Sequence, residues 1–155
     1  LKSRLCHEGR RALYALAAET GVFVKKTGKL VVAVDAVEAA GIVATRHARS
    51  NAVTASVDRV DFLHPIYIGD VVTFKASLNL VGRTSMEIGV RAEAENPITG
   101  EVRHTASAFL SYVALDRSGM PKEVAPIVLE SDEERRRNEA AKVRREWRLK
   151  NRTKE

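Results

Sequence analysis

An apolar stretch without proline, residues 30–48, limits the folds open to this chain more than any other part of it. Its apolar residues recur at helical spacing, as at Ala40, Val43 and Ala44, which predicts one mostly apolar helix over that range. Such a helix must be covered by other secondary structure. The long runs that follow it alternate with a period of two residues. The chain is therefore predicted to be an α+β protein in which a curved antiparallel sheet wraps around one helix.

Four runs with two-residue periodicity supply the strands of that sheet. They cover residues 52–64, 72–80, 86–95 and 102–115, with turn-rich segments between them. In the first run, Val53, Ala55 and Val57 share a face with Val60 and Phe62 only if the phase slips by one residue, which predicts a β-bulge. The apolar face of each strand is expected to meet the helix.

The two ends of the chain are predicted to be additions to this domain. Residues 10–19 fit a short amphipathic helix and residues 21–24 a brief strand. Residues 116–130 are expected to be extended, and residues 131–150 to form a basic helix whose acidic start suits the helix dipole. This gives an atypical N-terminal segment (1–29), the sheet-and-helix domain (30–130) and a basic helical tail (131–155).

The tail helix leaves two interpretations open, because it has little to bury. One is a solvated helix that is held by packing of Trp147 against its own subunit or against a neighbouring one. The other is an anion-binding arm. Its few apolar positions are Ala140, Ala141, Val143, Trp147 and Leu149.

Length and composition exclude several kinds of protein. At 155 residues the chain fits one domain, and the apolar run near Leu30 is interrupted by Asp35, far short of the roughly 20 residues of a membrane span. No signal-peptide pattern is visible. The sole cysteine, Cys6, can form no internal disulfide, so a reducing, cytoplasmic location is expected. The histidines show no metal-ligand spacing, and no metal is expected.

The net charge of +6 favours anionic partners such as nucleic acid, acidic membranes or phosphorylated small molecules. Aromatic residues make up 5% of the chain and do not alternate with the basic ones, so nucleic-acid binding is the least favoured of these. Gly28 and Lys29 lack the spacing of a phosphate-binding loop, and a nucleotide triphosphatase is not expected.

Three blocks carry a family resemblance. They read AAGIVATRHA at residues 39–48, VDRVDFLHPIYIGD at 57–70 and VGRTSMEIGV at 81–90. In this order they resemble the hotdog-fold acyl-CoA thioester hydrolases of the bacterial and cytosolic broad-specificity group, and the likeness covers residues 38–137. The resemblance implies the hotdog fold. It also implies a homodimer with a continuous sheet, or a hexamer built as a trimer of dimers, with active sites shared between subunits.

The activity that the resemblance implies is hydrolysis of fatty acyl-CoA to a free fatty acid and coenzyme A. Water attacks the thioester carbonyl, a carboxylate acts as general base or orients the water, and N–H groups at the start of the central helix stabilise the oxyanion. No cofactor is implied, because coenzyme A is part of the substrate.

The resemblance also assigns candidate site residues. The family's aspartate position falls on Val37 in an ungapped alignment, and the nearest carboxylates, Asp35 and Glu38, are the catalytic candidates. The family has an asparagine upstream of this helix, but no asparagine occurs in this chain before Asn51. One hypothesis is that the residues ahead of Glu38 have been replaced, or that they are translated from a different reading frame. The turn formed by Arg83, Thr84 and Ser85 resembles the one that contacts coenzyme A.

Each assignment has a plainer alternative. Asp35 can pair with a lysine, Glu38 with Arg46, and the Arg83 turn can be an ordinary hairpin, while His47 is expected to pack or cap. Three functional classes remain at this point. They are an acyl-CoA hydrolase, a catalytically silent hotdog protein that binds acyl-CoA or serves as a subunit of an oligomer, and a nucleic-acid-binding protein.

Overall fold

An antiparallel sheet packed against one long helix forms the body of the protein. The computed structural model describes residues 20–23 and 29–152. The elements are β1 (Thr20–Phe23), α1 (Lys29–Ala48), β2 (Asn51–Phe62), β3 (Val71–Val81), β4 (Ser85–Glu95), β5 (Val102–Leu115) and α2 (Asp132–Arg152). The sheet order is β1-β3-β4-β5-β2, with antiparallel neighbours throughout.

This architecture confirms the predicted hotdog fold. The central helix begins one residue earlier than expected, the last strand has the predicted bounds, and β1 covers most of the brief strand predicted at 21–24. The predicted helix at residues 10–19 lies outside the described residues.

The core lies between α1 and the sheet, because α1 contacts strands β2 to β5. The helix buries a face of small residues, so the sheet can approach closely. Gly41 is part of this contact, since a Cβ there would lie 3.6 Å from the Tyr112 hydroxyl oxygen. Burying each large strand residue contributes about 1.5–3 kcal/mol to the free energy of unfolding. The helix face consists of Ala36, Ala39, Ala40, Val43, Ala44 and Ala48, and the largest apolar side chains opposite it are Phe74, Met86, Ile88 and Leu110.

Strand β2 lies at one edge of the sheet and contains two register shifts. The shift between Val57 and Arg59 is the predicted bulge, and it puts Val57 opposite Leu110, on the side of the sheet that faces α1. A second shift, between Thr54 and Ser56, was not predicted. Because of it, Val53 pairs with Val113 on the opposite face, so the prediction that Val53 shares a face with Val57 is wrong.

Helix α2 packs on the face of the sheet that α1 does not cover. Ala141 is fully buried there, and the Asn138 side-chain amide donates a hydrogen bond to the Asn79 carbonyl, at 2.7 Å. Glu87 of β4 lies on this face of the sheet, opposite Ser111, and is buried because α2 covers it. Trp147 is 68% exposed, so it does not attach the helix to its own subunit, and the alternative contact with a neighbouring subunit stays a prediction. Polar and charged side chains attach α2 instead.

Candidate active site

Two carboxylates lie on the outward side of α1, three residues apart, where helical spacing brings them together. Asp35 is half-buried and Glu38 is exposed, while Ala36 and Ala39 face the core. Burial raises the pKa of Asp35, and the negative charge of Glu38 raises that pKa further. A carboxylate with a raised pKa is a stronger base, so Asp35 is the better suited of the pair to accept a proton from water.

A small apolar cleft opens between the amino-terminal half of α1 and the sheet. Ala36, which follows Asp35 in the chain, forms part of its wall. Ser107 is the only polar residue in the wall, and its hydroxyl is hydrogen-bonded to His104 Nε2 at 2.8 Å. The cleft is therefore an apolar surface beside the segment of α1 that carries Asp35. Its lining consists of Ala33, Ala36, Val60, Val90, Ala92, Ala106, Ser107 and Ala108.

A buried tyrosine contacts α1 two residues beyond Asp35. The Tyr112 hydroxyl donates a hydrogen bond to the carbonyl oxygen of Val37, at 2.6 Å. Burial raises the pKa of Tyr112, while a hydrogen bond with the Thr54 side chain acts in the opposite direction. Sequence reasoning did not select Tyr112 or Thr54. The available signal was a tyrosine on the inward, apolar face of β5, because a buried hydroxyl requires a hydrogen-bond partner.

The turn between β3 and β4 is fixed by its backbone. The Val124 and Ala114 N–H groups donate to the carbonyls of Arg83 and Thr84, each at 2.9 Å, and Gly82 N–H donates to the Ser85 carbonyl at 2.7 Å. These bonds hold the turn between the end of β5 and the segment that follows it. The Arg83 side chain is exposed.

This turn and Asp35 lie towards opposite ends of the sheet. The turn is hydrogen-bonded to Ala114, near the end of β5. In the segment after β5, the Lys122 ammonium group donates to the carbonyl of Ala48, the last residue of α1, at 3.3 Å. Asp35 and Ala48 are separated by about 20 Å along the helix axis, at 1.5 Å per residue. A single chain therefore does not bring the predicted catalytic and coenzyme-binding residues together.

The histidines of the described region serve packing and hydrogen bonding. His47 Nε2 lies 2.8 Å from the Ala125 carbonyl, and His64 Nδ1 lies 2.8 Å from the His104 carbonyl. Among the described residues, no cluster of His, Cys, Asp and Glu could hold a metal ion. Neither described helix is long and apolar enough to cross a membrane.

Comparison with known sequences gives consistent matches. The model of the thioesterase superfamily matches residues 28–101, which extends the likeness ahead of Glu38. An uncharacterised acyl-CoA thioester hydrolase of Bacillus subtilis is 44% identical over 107 residues, 69% of this chain and 61% of the relative. The cytosolic acyl coenzyme A thioester hydrolase of Mus musculus is 39% identical over 109 residues, 69% of this chain and 29% of that protein. The chain thus spans less than two thirds of these relatives.

Solved structures match over more of the chain. An apo-hexameric acyl-CoA thioesterase superposes with a TM-score of 0.83 and 34% identity, covering 91% of this chain and 97% of the other. An acyl-CoA hydrolase from Staphylococcus aureus, in complex with butyryl coenzyme A and coenzyme A, gives a TM-score of 0.80 and 31% identity, with 87% of each chain covered.

Proposed function

This chain belongs to the thioesterase superfamily, and we propose that it hydrolyses acyl-CoA thioesters to a free fatty acid and coenzyme A. The observation that carries the proposal is the position of Asp35. Its carboxyl has a raised pKa and belongs to the amino-terminal half of the central helix, where the next residue, Ala36, lines a small apolar cleft. Relatives and structural neighbours named as acyl-CoA hydrolases support the same chemistry.

The proposed reaction starts with the thioester bound beside the amino-terminal half of α1, where the alanine-lined cleft opens. The Asp35 carboxylate accepts a proton from a water molecule while that water attacks the thioester carbonyl. The first N–H groups of α1 have no intrahelical acceptor and carry partial positive charge, so they can stabilise the oxyanion. The intermediate then expels the coenzyme A thiolate, which takes a proton to leave as the thiol. Glu38 raises the basicity of Asp35 in this scheme and is the alternative base.

The active protein is proposed to be a homo-oligomer in the cytoplasm. Val57 and Phe62 lie on the α1 side of the edge strand β2, yet they are 49% and 41% exposed. Val34 and Ile42 on α1 are similarly exposed. A second copy paired along β2 would cover these side chains and extend the sheet. The hexameric state named for one structural neighbour and the cytosolic location named for the mouse relative support this assembly and location.

The second candidate is a catalytically silent protein that binds acyl-CoA. One observation favours it. Val37, where the family resemblance expects an aspartate, packs its apolar side chain against the core, and its carbonyl oxygen accepts a hydrogen bond from the Tyr112 hydroxyl. In that case Asp35 and Glu38 would be surface carboxylates without a role in proton transfer.

Release of free thiol from a panel of acyl-CoAs separates the two candidates. We expect wild type to turn over and Asp35→Asn to lower kcat by about 100-fold or more, the usual contribution of a general base. Glu38→Gln is expected to retain most of the activity at neutral pH. Glu139→Gln is the matched control, because it removes an exposed carboxylate of α2.

Two outcomes would overturn the proposal. Wild type that binds coenzyme A but releases no thiol from any acyl-CoA would be the silent protein. Full activity in Asp35→Asn would remove Asp35 from the role of base, and a simultaneous loss in Glu38→Gln would transfer that role to Glu38.

A further inference from the structure

The side of α2 that faces away from the sheet carries an apolar stripe. Helical spacing of three and four residues places its members in one row, opposite the buried Asn138 and Ala141. Val143 and Trp147 are each 68% exposed, and Ala140 is exposed beside them. Tryptophan is enriched among the side chains that contribute most to protein interfaces, so this row indicates a partner surface. We call Ala140, Val143 and Trp147 the outer stripe.

Charged residues flank the outer stripe, with acids at one end of α2 and a base at the other. Asp132 and Glu133 begin the helix, Lys150 lies near its end, and all three are exposed. The midpoint between Ala140 and Val143 is a natural symmetry point. Glu133 and Lys150 are equally far from it, about 13 Å along the axis at 1.5 Å per residue. A second α2 laid antiparallel about this midpoint therefore brings each acidic end beside a basic end.

The same antiparallel arrangement gives Trp147 a specific neighbour. Trp147 and Arg136 are also equally far from the midpoint, about 8 Å along the axis. The Arg136 side chain is 76% exposed, so it can lie over the indole ring of the other copy. A guanidinium group over an aromatic face is attracted by the electron-rich ring. A parallel arrangement would instead set acid beside acid and base beside base, which is unfavourable.

The β2 edge alone cannot build an assembly larger than a dimer. Pairing along β2 is a two-fold contact that uses each edge once, so it joins two copies and stops. The outer stripe faces away from the sheet, and pairing of the edges leaves it uncovered. A second, different two-fold contact generates the dihedral symmetry of larger closed assemblies. The hexameric state named for a structural neighbour is one of these.

We propose that α2 pairs antiparallel with α2 of a second copy and joins β2-paired dimers into a hexamer. The occupant of the outer stripe is thus the outer stripe of the neighbouring chain. Ala140 of one copy meets Val143 of the other, and each Trp147 is covered. This contact depends on the proposed β2 pairing and not on thioester hydrolysis.

Trp147 is the only tryptophan of the chain, so its fluorescence reports directly on this contact. Sedimentation velocity and emission spectra of the full chain are recorded on one dilution series. We expect a hexamer with the emission of a buried indole, and a shift to longer wavelength as the hexamer separates into dimers. Trp147→Glu places a charge within the contact and should give dimers at concentrations where wild type is hexameric.

Leu149→Glu is the matched control. It adds the same charge to the same helix at a residue that is 56% exposed but lies on another side of α2 than the outer stripe. This variant should remain hexameric. Circular dichroism and thermal unfolding of every variant check that α2 is folded.

Charge reversal tests the antiparallel order. Glu133→Lys and Lys150→Glu should each raise the dissociation constant of the hexamer by about 5-fold, because symmetry places like charges together twice in each contact. The double variant should recover most of this loss. Glu133→Lys also breaks the pair of Glu133 with Arg137 at 2.7 Å, which the second substitution does not repair, so recovery comes from the contact between chains.

Four results would overturn the contact. They are a hexamer whose Trp147 emits as an exposed indole, wild type that stops at dimers, a folded Trp147→Glu variant that stays hexameric, and equal loss of the hexamer in Leu149→Glu. A double variant no better than either single one would overturn the antiparallel order. Thiol release is measured on the same samples. A hexamer with buried Trp147 that hydrolyses nothing would sink only the hydrolase proposal, and hydrolysis by a chain whose Trp147 stays exposed would sink only the α2 contact.

Discussion

At the scale of single residues, Asp35 and Glu38 act on each other through charge. Burial is the larger cause of the raised Asp35 pKa, and the Glu38 carboxylate is the second. Replacing Glu38 by Gln removes the repulsion that disfavours the charged form of Asp35. The pKa of Asp35 should then move down towards its ordinary value, while the contribution of burial remains.

The consequence can be measured in the pH dependence of kcat/KM. In the proposed reaction hydrolysis needs deprotonated Asp35, so activity should rise with pH through the pKa of this group. We expect the acid limb of the Glu38→Gln profile to lie at lower pH than that of wild type, with the two profiles meeting well above both pKa values. Asp35→Asn, which lacks the titrating group, is the control and should lose this limb. An acid limb that stays in place or moves to higher pH would contradict the proposed coupling.

The proximity of Asp35 and Glu38 could be predicted from their spacing in the sequence. The contacts of Tyr112 could not, because its partners are distant in the sequence. Asp35 and Glu38 belong to one helix, so their proximity follows from sequence separation alone. The contacts of Tyr112 with Val37 and Thr54 depend on how β5 pairs with β2 and packs on α1. Two bulges shift the β2 register, and only one of them leaves a visible break in the apolar pattern.

At the scale of elements, the attachment of α2 depends on one buried acid. The Glu87 side chain is 1% exposed and receives Arg144 and Arg148 at 2.6 and 2.9 Å. Both arginines come from α2 and the acid from β4, so these ion pairs join the two elements. Removing the acid deprives Arg144 of its ion pair in a partly buried place, while Arg148 keeps its second partner, Asp58.

Glu87→Ala should therefore lower the free energy of unfolding by about 2–3 kcal/mol, less than for a fully buried pair because the arginine side chains remain partly exposed. Urea unfolding measures this loss. Glu139→Ala breaks the exposed Glu139–Lys142 pair, which has a similar distance of 2.6 Å, and should cost less than about 1 kcal/mol. Equal effects of the two substitutions would show that the Glu87 contacts do not hold the helix to the sheet.

Apolar periodicity predicted the existence of α2 but not its docking. The bounds of α1 and β5 could be predicted because each has a continuous apolar face that is buried. The only apolar side chain that α2 buries fully is the small one of Ala141. Asn138, Arg144 and Arg148 make the remaining contacts, and polar residues of this kind are also typical of a solvated helix. The most apolar side chain of the helix, Trp147, is consequently a poor guide to the face that docks.

At the scale of the whole molecule, one chain leaves the site incomplete. Asp35 lies near one end of α1, and the turn with Arg83 lies towards the other end, beside Ala114 and the segment that contacts Ala48. The exposed apolar residues Val57 and Phe62 mark the edge of β2 as the place where a second copy would pair. Assembly and catalysis should therefore depend on each other.

Val57→Lys tests this dependence, because it places a charge within the proposed subunit contact. We expect sedimentation velocity to show a shift to smaller species, and thiol release per chain to fall in parallel. Ile98→Lys, at a hairpin residue that is 93% exposed, introduces the same charge outside the contact and should change neither quantity. Dilution of wild type separates dissociation from misfolding, since activity per chain should fall as the oligomer dissociates and recover on reconcentration. Full activity in a monomeric species would contradict a site shared between subunits.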